Sequence, residues 1–248
     1  MPSPFDDLAP IYDVLIDWPK RLAREEPFYR RLFEEVGVQR VLDAACGTGR
    51  HAAMFHEWSL AVEGADLSPT MIARARQRLP EGPRMKWVVR GYTQPTEFPG
   101  GFDAALCVGH SLALAPDEKA AAQAVRTLLD AVRPGGVVIT QVLNLWALPE
   151  GPCLWQRSLR TRIENAEVVL IKGIHRTGHR GFVNLVVVPL TNPSNRHAES
   201  VPFLGLKSDQ LLDWAHSAGA TQAHVFGGYR QEPYIPDQST DLILVARK

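Results

Sequence analysis

Residues 41–49 read Val-Leu-Asp-Ala-Ala-Cys-Gly-Thr-Gly, a short apolar run that ends in a glycine-rich turn. The apolar part is typical of a buried strand, and the residues that follow, through Phe55, can form a helix. From Gly47 onward the chain fits the pattern G-x-G-x-x-[G/A], in which glycines let the backbone approach a ligand at a helix start. The stretch therefore predicts a cofactor site between a strand and a helix.

Strand-like and helix-like segments alternate on both sides of this turn. Further strands are predicted at 60–65, 85–89, 102–108 and 137–142, with helices at 70–79 and 116–132, and the pattern resumes after Ser208 with a helix and two more strands. This alternation predicts an α/β fold with a doubly wound, mostly parallel seven-stranded, Rossmann-like sheet.

The segment after the fifth strand has a different character, because it holds strand-like stretches at 167–171, 182–189 and 200–204 and no amphipathic helix. We therefore expect three regions. Residues 1–40 are a helical lead-in that covers the cofactor, residues 41–144 and 207–248 form the cofactor-binding domain, and residues 145–206 are an antiparallel insertion that covers the substrate.

Bulk composition disfavours several classes of function. Lys+Arg and Asp+Glu both number 27, so the basic excess typical of nucleic-acid-binding proteins is missing. The acidic, proline-containing start does not resemble a signal peptide, and no apolar stretch is long enough to span a bilayer. The three cysteines lie far apart in the sequence, so no disulfide framework is expected. We expect a cytoplasmic protein without nucleic-acid or membrane partners; its oligomeric state stays open.

Two carboxylates discriminate between cofactor classes. Asp66 ends the second strand, where a carboxylate can accept hydrogen bonds from ribose hydroxyls. Asp43 lies at the entrance of the glycine turn, where it would repel the pyrophosphate of a nicotinamide dinucleotide by about 1–4 kcal/mol. It would attract the ammonium and sulfonium of S-adenosylmethionine. The loop is therefore better suited to S-adenosylmethionine than to NAD.

Four segments resemble, in order, motifs of the class I S-adenosylmethionine-dependent methyltransferases. Residues 41–49 resemble the first motif, with Ala45 in place of a glycine, and the others are 64–68, 102–109 and 132–136. The chain is most similar to small-molecule members such as the glycine and sarcosine N-methyltransferases. In that group an N-terminal arginine grips the cofactor carboxylate, which implies this role for Arg21, with Tyr12 and Trp18 closing over the cofactor.

The pattern and the resemblance together predict a set of cofactor-binding residues. It comprises Tyr12, Trp18, Arg21, Asp43, Ala45, Gly47, Thr48, Gly49, Asp66, Leu67, Met71, Gly91, Tyr92 and Val108. An acidic residue that often follows the third strand is replaced here by Gly91-Tyr92, whose ring could stack on adenine. No metal is expected.

Two polar residues follow strands at the edge where such folds bind ligands, and both are candidates for catalysis. His110, which replaces the subgroup's usual asparagine, is a candidate general base, and Asn144 is a candidate for orienting the acceptor. The expected function is methyl transfer to a nitrogen or oxygen of a small molecule by in-line displacement. The alternatives are a catalytically silent S-adenosylmethionine-binding module and, less favoured, a nucleic-acid methyltransferase.

Overall fold

The computed structural model describes residues 9–163 and 166–248. In chain order the elements are α1 (Ala9–Leu15), α2 (Trp18–Val36), β1 (Arg40–Ala44), α3 (Arg50–Glu57), β2 (Ala61–Asp66), α4 (Pro69–Arg78), β3 (Met85–Val89), β4 (Phe102–Cys107), α5 (Glu118–Ala131), β5 (Val132–Leu143), β6 (Leu154–Ile163), β7 (Ala166–Thr177), β8 (Arg180–Pro189), β9 (His197–Leu204), α6 (Ser208–Ser217), β10 (Gln222–Phe226) and β11 (Asp241–Arg247). Short 3-10 helices lie at Ser111–Leu114 and Leu145–Ala147.

The main sheet confirms the predicted fold class. Its seven strands have the order β10-β11-β5-β4-β1-β2-β3, and β11 runs antiparallel to both of its neighbours while β1 to β5 are mutually parallel. The chain reverses its direction of winding between β1 and β4, and ligands of doubly wound folds bind beyond the carboxyl ends of the strands at such a point. Apolar clusters cover both faces of the sheet.

Local sequence explains where several helices begin. Asp17 caps α2 by accepting a hydrogen bond from the Lys20 amide, and Ser68 caps α4 by accepting one from the Met71 amide. In α5 the cap is Asp117, one residue inside the predicted helix start. These caps fix the helix starts, and the apolar faces behind them pack on the sheet.

The fifth strand is longer than predicted. The sequence predicts a strand over 137–142, yet β5 runs from Val132 to Leu143 and includes Pro134-Gly135-Gly136. Backbone bonds to the end of the chain explain the difference, because the Gly135 amide donates to the Lys248 carbonyl and the Lys248 amide donates to the Gly136 carbonyl. The neighbouring strand thus keeps these residues in the ladder.

The insertion is a four-stranded antiparallel sheet, β6-β7-β8-β9. The sequence predicts three of these strands, shorter than they are, and misses β6. That strand carries arginines at 157, 160 and 162 and lies at the sheet edge with six of its ten residues exposed, so its apolar signal is weak. Its partly buried Leu159 and Ile163 pack with Ile11 of α1, which joins the insertion to the N-terminal segment.

None of the described helices is long and apolar enough to cross a membrane.

Candidate functional site

The glycine turn after β1 holds three residues with positive φ: Ala45 (65°), Gly47 (56°) and Gly49 (77°). This winding aims the Gly47 amide at Asp66, whose Oδ2 accepts a hydrogen bond of 2.8 Å from it. The other oxygen of Asp66 accepts from the Ser68 amide at 2.9 Å. The turn and the end of β2 are therefore held together by the carboxylate that the sequence assigns to the cofactor ribose.

Gly49 is required by packing as well as by its backbone angle. A Cβ atom at this position would lie 2.4 Å from the Trp87 ring, and a Cβ atom at Gly64 would lie 2.2 Å from the same ring. Trp87 is buried, and its indole N–H donates to the Leu79 carbonyl. Burial and this hydrogen bond hold the ring in place beside the turn, so an added Cβ atom would collide with it.

We expect Gly49→Ala to destabilise the protein by about 2–4 kcal/mol, because it adds an overpacked contact to a strained backbone angle. Ala45→Gly is the matched control in the same turn. It relieves a positive φ without filling space and should change stability by no more than about 1 kcal/mol. Urea unfolding of both variants measures the difference, and equal stabilities would contradict this role for Trp87.

The helix α1 lies over the glycine turn. A Cβ atom at Gly47 would be 3.6 Å from the Tyr12 ring. Asp13 fastens the helix in place, because its Oδ1 accepts a hydrogen bond of 2.8 Å from the Thr48 hydroxyl and its carboxylate forms ion pairs with Arg50 and Arg78. Thr48 therefore holds the covering helix, and the sequence does not reveal the contribution of Asp13.

Arg21 projects from α2 toward the end of β4. Its Nη2 would lie 3.5 Å from a Cβ atom at Gly109, while its Nε donates to Glu25 Oε1 at 2.8 Å. The Trp18 ring packs under the guanidinium, with its centroid 5.2 Å from the Arg21 Cζ. Arg21 is thus a cation held by its neighbours beside the carboxyl ends of the strands.

Glu25 anchors this arrangement and is fully buried. Besides Arg21, it contacts His51 Nε2 at 2.8 Å and the Tyr29 hydroxyl at 3.4 Å. Although burial alone would raise the pKa of Glu25, the adjoining His51 and Arg21 lower it to about 2. The signal available in the sequence is the spacing of Arg21 and Glu25, which places both on one helical face.

Asp43 is buried at the end of β1, and its Oδ2 has no hydrogen-bond partner among the described residues. Burial raises the pKa of Asp43 to about 6, and the nearby Asp66 adds to this, while His51, the Ala52 amide and Arg21 oppose it. A buried carboxylate oxygen without a partner is costly unless a ligand supplies one. The position therefore fits the ammonium or sulfonium of S-adenosylmethionine.

The remaining predicted cofactor residues differ in accessibility. Leu67 is 64% exposed, and its Cδ1 would lie 3.5 Å from a Cβ atom at Gly91. Tyr92 is half-buried, and burial raises its pKa well above the usual value. Met71 and Val108 are buried in the apolar layers. Leu67, Gly91 and Tyr92 are therefore accessible to a ligand, whereas Met71 and Val108 are not.

His110 follows β4 in a left-handed conformation. Its Nδ1 accepts a hydrogen bond of 2.9 Å from the Leu143 amide, whereas its Nε2 is buried without a partner among the described residues. Burial lowers the pKa of His110 to about 3, so the ring is neutral. Because Nδ1 is an acceptor, the proton of the neutral ring is on Nε2. The sequence suggests a general base here, but this geometry presents a hydrogen-bond donor.

The side-chain amide of Asn144 is already satisfied within the protein. Its Nδ2 donates to the carbonyls of Pro236 and Ser239, and its Oδ1 accepts from the Trp146 amide and the Tyr234 hydroxyl. These four bonds use both donors and both acceptor lone pairs of the Asn144 side-chain amide. The structure therefore gives Asn144 the task of fixing the loop before β11, which is different from the substrate contact that the sequence suggests.

Residues 41–136 match a family model described as a methyltransferase domain. The chain is 32% identical to a glycine/sarcosine N-methyltransferase of Parasynechococcus marenigrum over 59% of its own length and 52% of that relative. It is 29% identical to human glycine N-methyltransferase over 62% of its length and 60% of that relative. The chain therefore spans roughly half to three fifths of these curated relatives.

Two solved structures extend the similarity of fold to most of the chain. A sugar N-methyltransferase, KedS8 from Streptoalloteichus, has a TM-score of 0.74 at 23% identity and covers 92% of this chain and 87% of its own. The S-adenosylmethionine-bound amino pentose methyltransferase CalS10 from Micromonospora echinaspora has a TM-score of 0.71 at 20% identity and covers 96% and 97%. At these identities the likeness concerns the fold, including the insertion.

Proposed function

The chain carries a class I S-adenosylmethionine-dependent methyltransferase domain with distant homology to glycine and sarcosine N-methyltransferases, and on that premise we propose that it methylates a small molecule. S-adenosylmethionine is the cofactor of this family. When bound, it supplies an electrophilic methyl group on a sulfonium. The acceptor is a nitrogen or oxygen nucleophile.

The observation that carries the proposal is a pair of unlike charges that flank the glycine turn. Asp43 offers an unpartnered buried carboxylate oxygen, and Arg21 offers a guanidinium held beside Gly109. A ligand with an ammonium and a carboxylate on one carbon matches this pair, whereas a pyrophosphate would be repelled by Asp43. We assign Asp43 to the ammonium and sulfonium end and Arg21 to the carboxylate.

The other contacts complete the cofactor site in this proposal. Asp66 would hold the ribose hydroxyls, and Leu67 with Tyr92 would enclose the adenine. Tyr12 would cover the methionine part, since α1 lies over the turn and is fastened by Asp13. Exclusion of water favours the reaction, because the charge of the sulfonium is dispersed in the transition state.

The protein's task in the transfer is alignment. The acceptor's lone pair forms the new bond to the methyl carbon as the carbon–sulfur bond breaks, and the proton of a resulting ammonium passes to water. In-line geometry of this kind depends on positioning. His110, with its proton on Nε2, would orient the acceptor by donating a hydrogen bond to an oxygen of it, which leaves the lone pair of the attacking atom free. Because Nδ1 is already bonded, His110 cannot take a proton from an ammonium, so an amine must arrive in its neutral form.

A direct test measures S-adenosylhomocysteine release with a panel of small amines, amino acids, amino sugars and phenols, after calorimetry has confirmed cofactor binding. Release with one acceptor class supports the proposal. Binding without release from any acceptor would favour a silent cofactor-binding module. Release with RNA or DNA alone would favour the nucleic-acid alternative.

We expect Asp66→Asn to weaken binding of S-adenosylhomocysteine by about 10- to 100-fold, because a carboxylate that accepts hydrogen bonds from ribose is replaced by a neutral amide. The control is Asp130→Asn, the same replacement at an exposed residue of α5, which should leave the affinity for S-adenosylhomocysteine unchanged. Isothermal titration calorimetry measures both. Wild-type affinity in Asp66→Asn would remove this residue from the cofactor site.

A further inference from the structure

The turn after β4 has an unfavourable backbone conformation. Gly109 and His110 both have positive φ, at 79° and 74°. Glycine adopts such angles freely, whereas histidine adopts them only at a cost in energy. Strained residues persist where the surrounding structure fixes them, and they are concentrated at functional sites. The fold must therefore supply contacts that hold this turn.

Gln141 of β5 supplies three of these contacts. Its side-chain Oε1 accepts hydrogen bonds from the amides of Gly109 at 2.9 Å and His110 at 3.3 Å, and its backbone carbonyl accepts one from the His110 amide at 3.1 Å. The side chain is buried and shares one face of β5 with Val137 and Ile139, which belong to an apolar cluster. A buried amide in such a row is costly unless it is hydrogen-bonded. The turn satisfies its oxygen.

Asp241 fixes the orientation of the Gln141 side chain. Its Oδ1 accepts a hydrogen bond of 2.7 Å from Gln141 Nε2, and both side chains are buried. In the ladder between β5 and β11, Gln141 is paired with Ile243, so Asp241 is its diagonal neighbour on the same face. An ionised carboxylate accepts hydrogen bonds but donates none. It therefore selects the amide orientation in which Nε2 faces β11 and Oε1 faces the turn.

The turn lies beside the residues proposed to bind the methionine end of the cofactor. A Cβ atom at Gly109 would lie 3.5 Å from Arg21 Nη2 and 3.9 Å from the Tyr12 hydroxyl. In the proposed function Arg21 holds the cofactor carboxylate and Tyr12 covers the methionine part. A displacement of the turn would alter this end of the site and move His110. It would leave Asp66, which ends β2, in place for the ribose.

We propose that Gln141, oriented by Asp241, is a positioning residue for methyl transfer that holds the Gly109-His110 turn against the methionine end of the cofactor. The inference rests on the proposed function. It predicts that changes at Gln141 affect the methionine part of the ligand and turnover, and spare the adenosine part. A purely structural role predicts another result, because a general loss of structure weakens binding of every ligand alike.

Gln141→Met removes the amide and keeps a side chain of similar length. We expect S-adenosylhomocysteine to bind this variant about 10-fold more weakly, whereas 5′-methylthioadenosine, which lacks the amino-acid part, binds within about threefold of wild type. With an acceptor found in the panel, kcat should fall by about 100-fold, because alignment is sensitive to small displacements. The control is Gln222→Met at an exposed residue of β10, which should leave all three quantities unchanged.

A reciprocal exchange tests the pair without removing its hydrogen bond. Gln141→Glu places a second carboxylate against Asp241, and two carboxylates at this distance cannot both be ionised. At pH 8 we expect this variant to bind S-adenosylhomocysteine at least about 10-fold more weakly, with 5′-methylthioadenosine again within about threefold. Adding Asp241→Asn exchanges donor and acceptor, so the double variant should regain wild-type affinity and kcat within about threefold.

Each outcome decides between these roles. If Gln141→Glu binds S-adenosylhomocysteine as wild type does, or if both ligands weaken equally in the Gln141 variants, the positioning role is refuted while the proposed function stands. Failure of the double variant to regain affinity would refute it as well. If wild type binds neither ligand, the proposed function fails and this inference fails with it.

Discussion

Asp43→Asn is expected to weaken binding of S-adenosylmethionine by about 100-fold while making the ligand-free protein more stable. Both effects arise from the same atom. Asp43 Oδ2 is buried without a partner in the described part of the chain, and burial raises the pKa of this carboxyl to about 6. A charge that is costly in the empty protein becomes favourable when the cation of the cofactor lies against it.

The sign of the stability effect follows from linkage. A carboxyl whose folded-state pKa is raised from 3.8 to about 6 destabilises the fold at pH values above the unfolded pKa, and the cost grows until the folded group is ionised. That cost is about 3 kcal/mol at most above pH 6, since each pKa unit is 1.36 kcal/mol. The gain from Asn should therefore be small at pH 4 and reach its full size near pH 7.

Asp103→Asn is a control with the opposite expectation. Arg133 and the amides of Gln39 and Arg40 lower the pKa of the Asp103 carboxyl, so its loss should destabilise the protein at neutral pH and leave cofactor affinity unchanged. Melting temperatures at pH 4 and pH 7 and calorimetric titrations measure both variants. If Asp43→Asn lowered the melting temperature while cofactor affinity stayed at the wild-type value, the assignment of Asp43 to a cofactor cation would be refuted.

The sequence was sufficient to predict the main sheet because its signals are local. Buried parallel strands are apolar runs, and residues such as Ser68 mark the helix starts. The errors arose where distant parts of the chain decide the structure. β6 is an arginine-bearing edge strand that only its pairing with β7 defines, and β5 continues through Gly135 because the end of the chain pairs with it.

The candidate site divides in the same way. The glycine turn and Asp66 follow from a short motif, and the structure places them in contact. The partners that hold the glycine turn and Arg21 come from other elements: Asp13 from α1 and Glu25 from α2. The periodicity of one segment cannot show that residues of different segments come into contact. Two candidates for catalysis also acquire different tasks, because only the structure shows that Asn144 and Nδ1 of His110 are already bonded.

Glu25→Gln is expected to destabilise the protein by about 3–5 kcal/mol, because it breaks a buried ion pair from one side and leaves the other partner uncompensated. The adjacent Glu26→Gln is the matched control. Glu26 forms an ion pair with Arg30 on the surface, with the same four-residue spacing as Arg21 and Glu25, and such pairs contribute no more than about 1 kcal/mol. The pKa of Glu25 is lowered from 4.5 to about 2, so its contribution is complete above pH 4.5 and is lost as the pH falls toward 2.

The same variant tests whether Glu25 positions Arg21 for the cofactor. In Glu25→Gln the amide oxygen can still accept from Arg21 Nε, but the guanidinium loses the charged contact that holds it beside Gly109. We expect S-adenosylhomocysteine, which carries the amino-acid carboxylate, to bind about 10-fold more weakly, because a charge-assisted contact is lost. 5′-Methylthioadenosine lacks that carboxylate and should bind Glu25→Gln and wild type alike. Calorimetry with both ligands, at a temperature well below the variant's melting point, separates the positioning of Arg21 from a general loss of structure. If the affinities for the two ligands fell equally, the role of Glu25 would be purely structural.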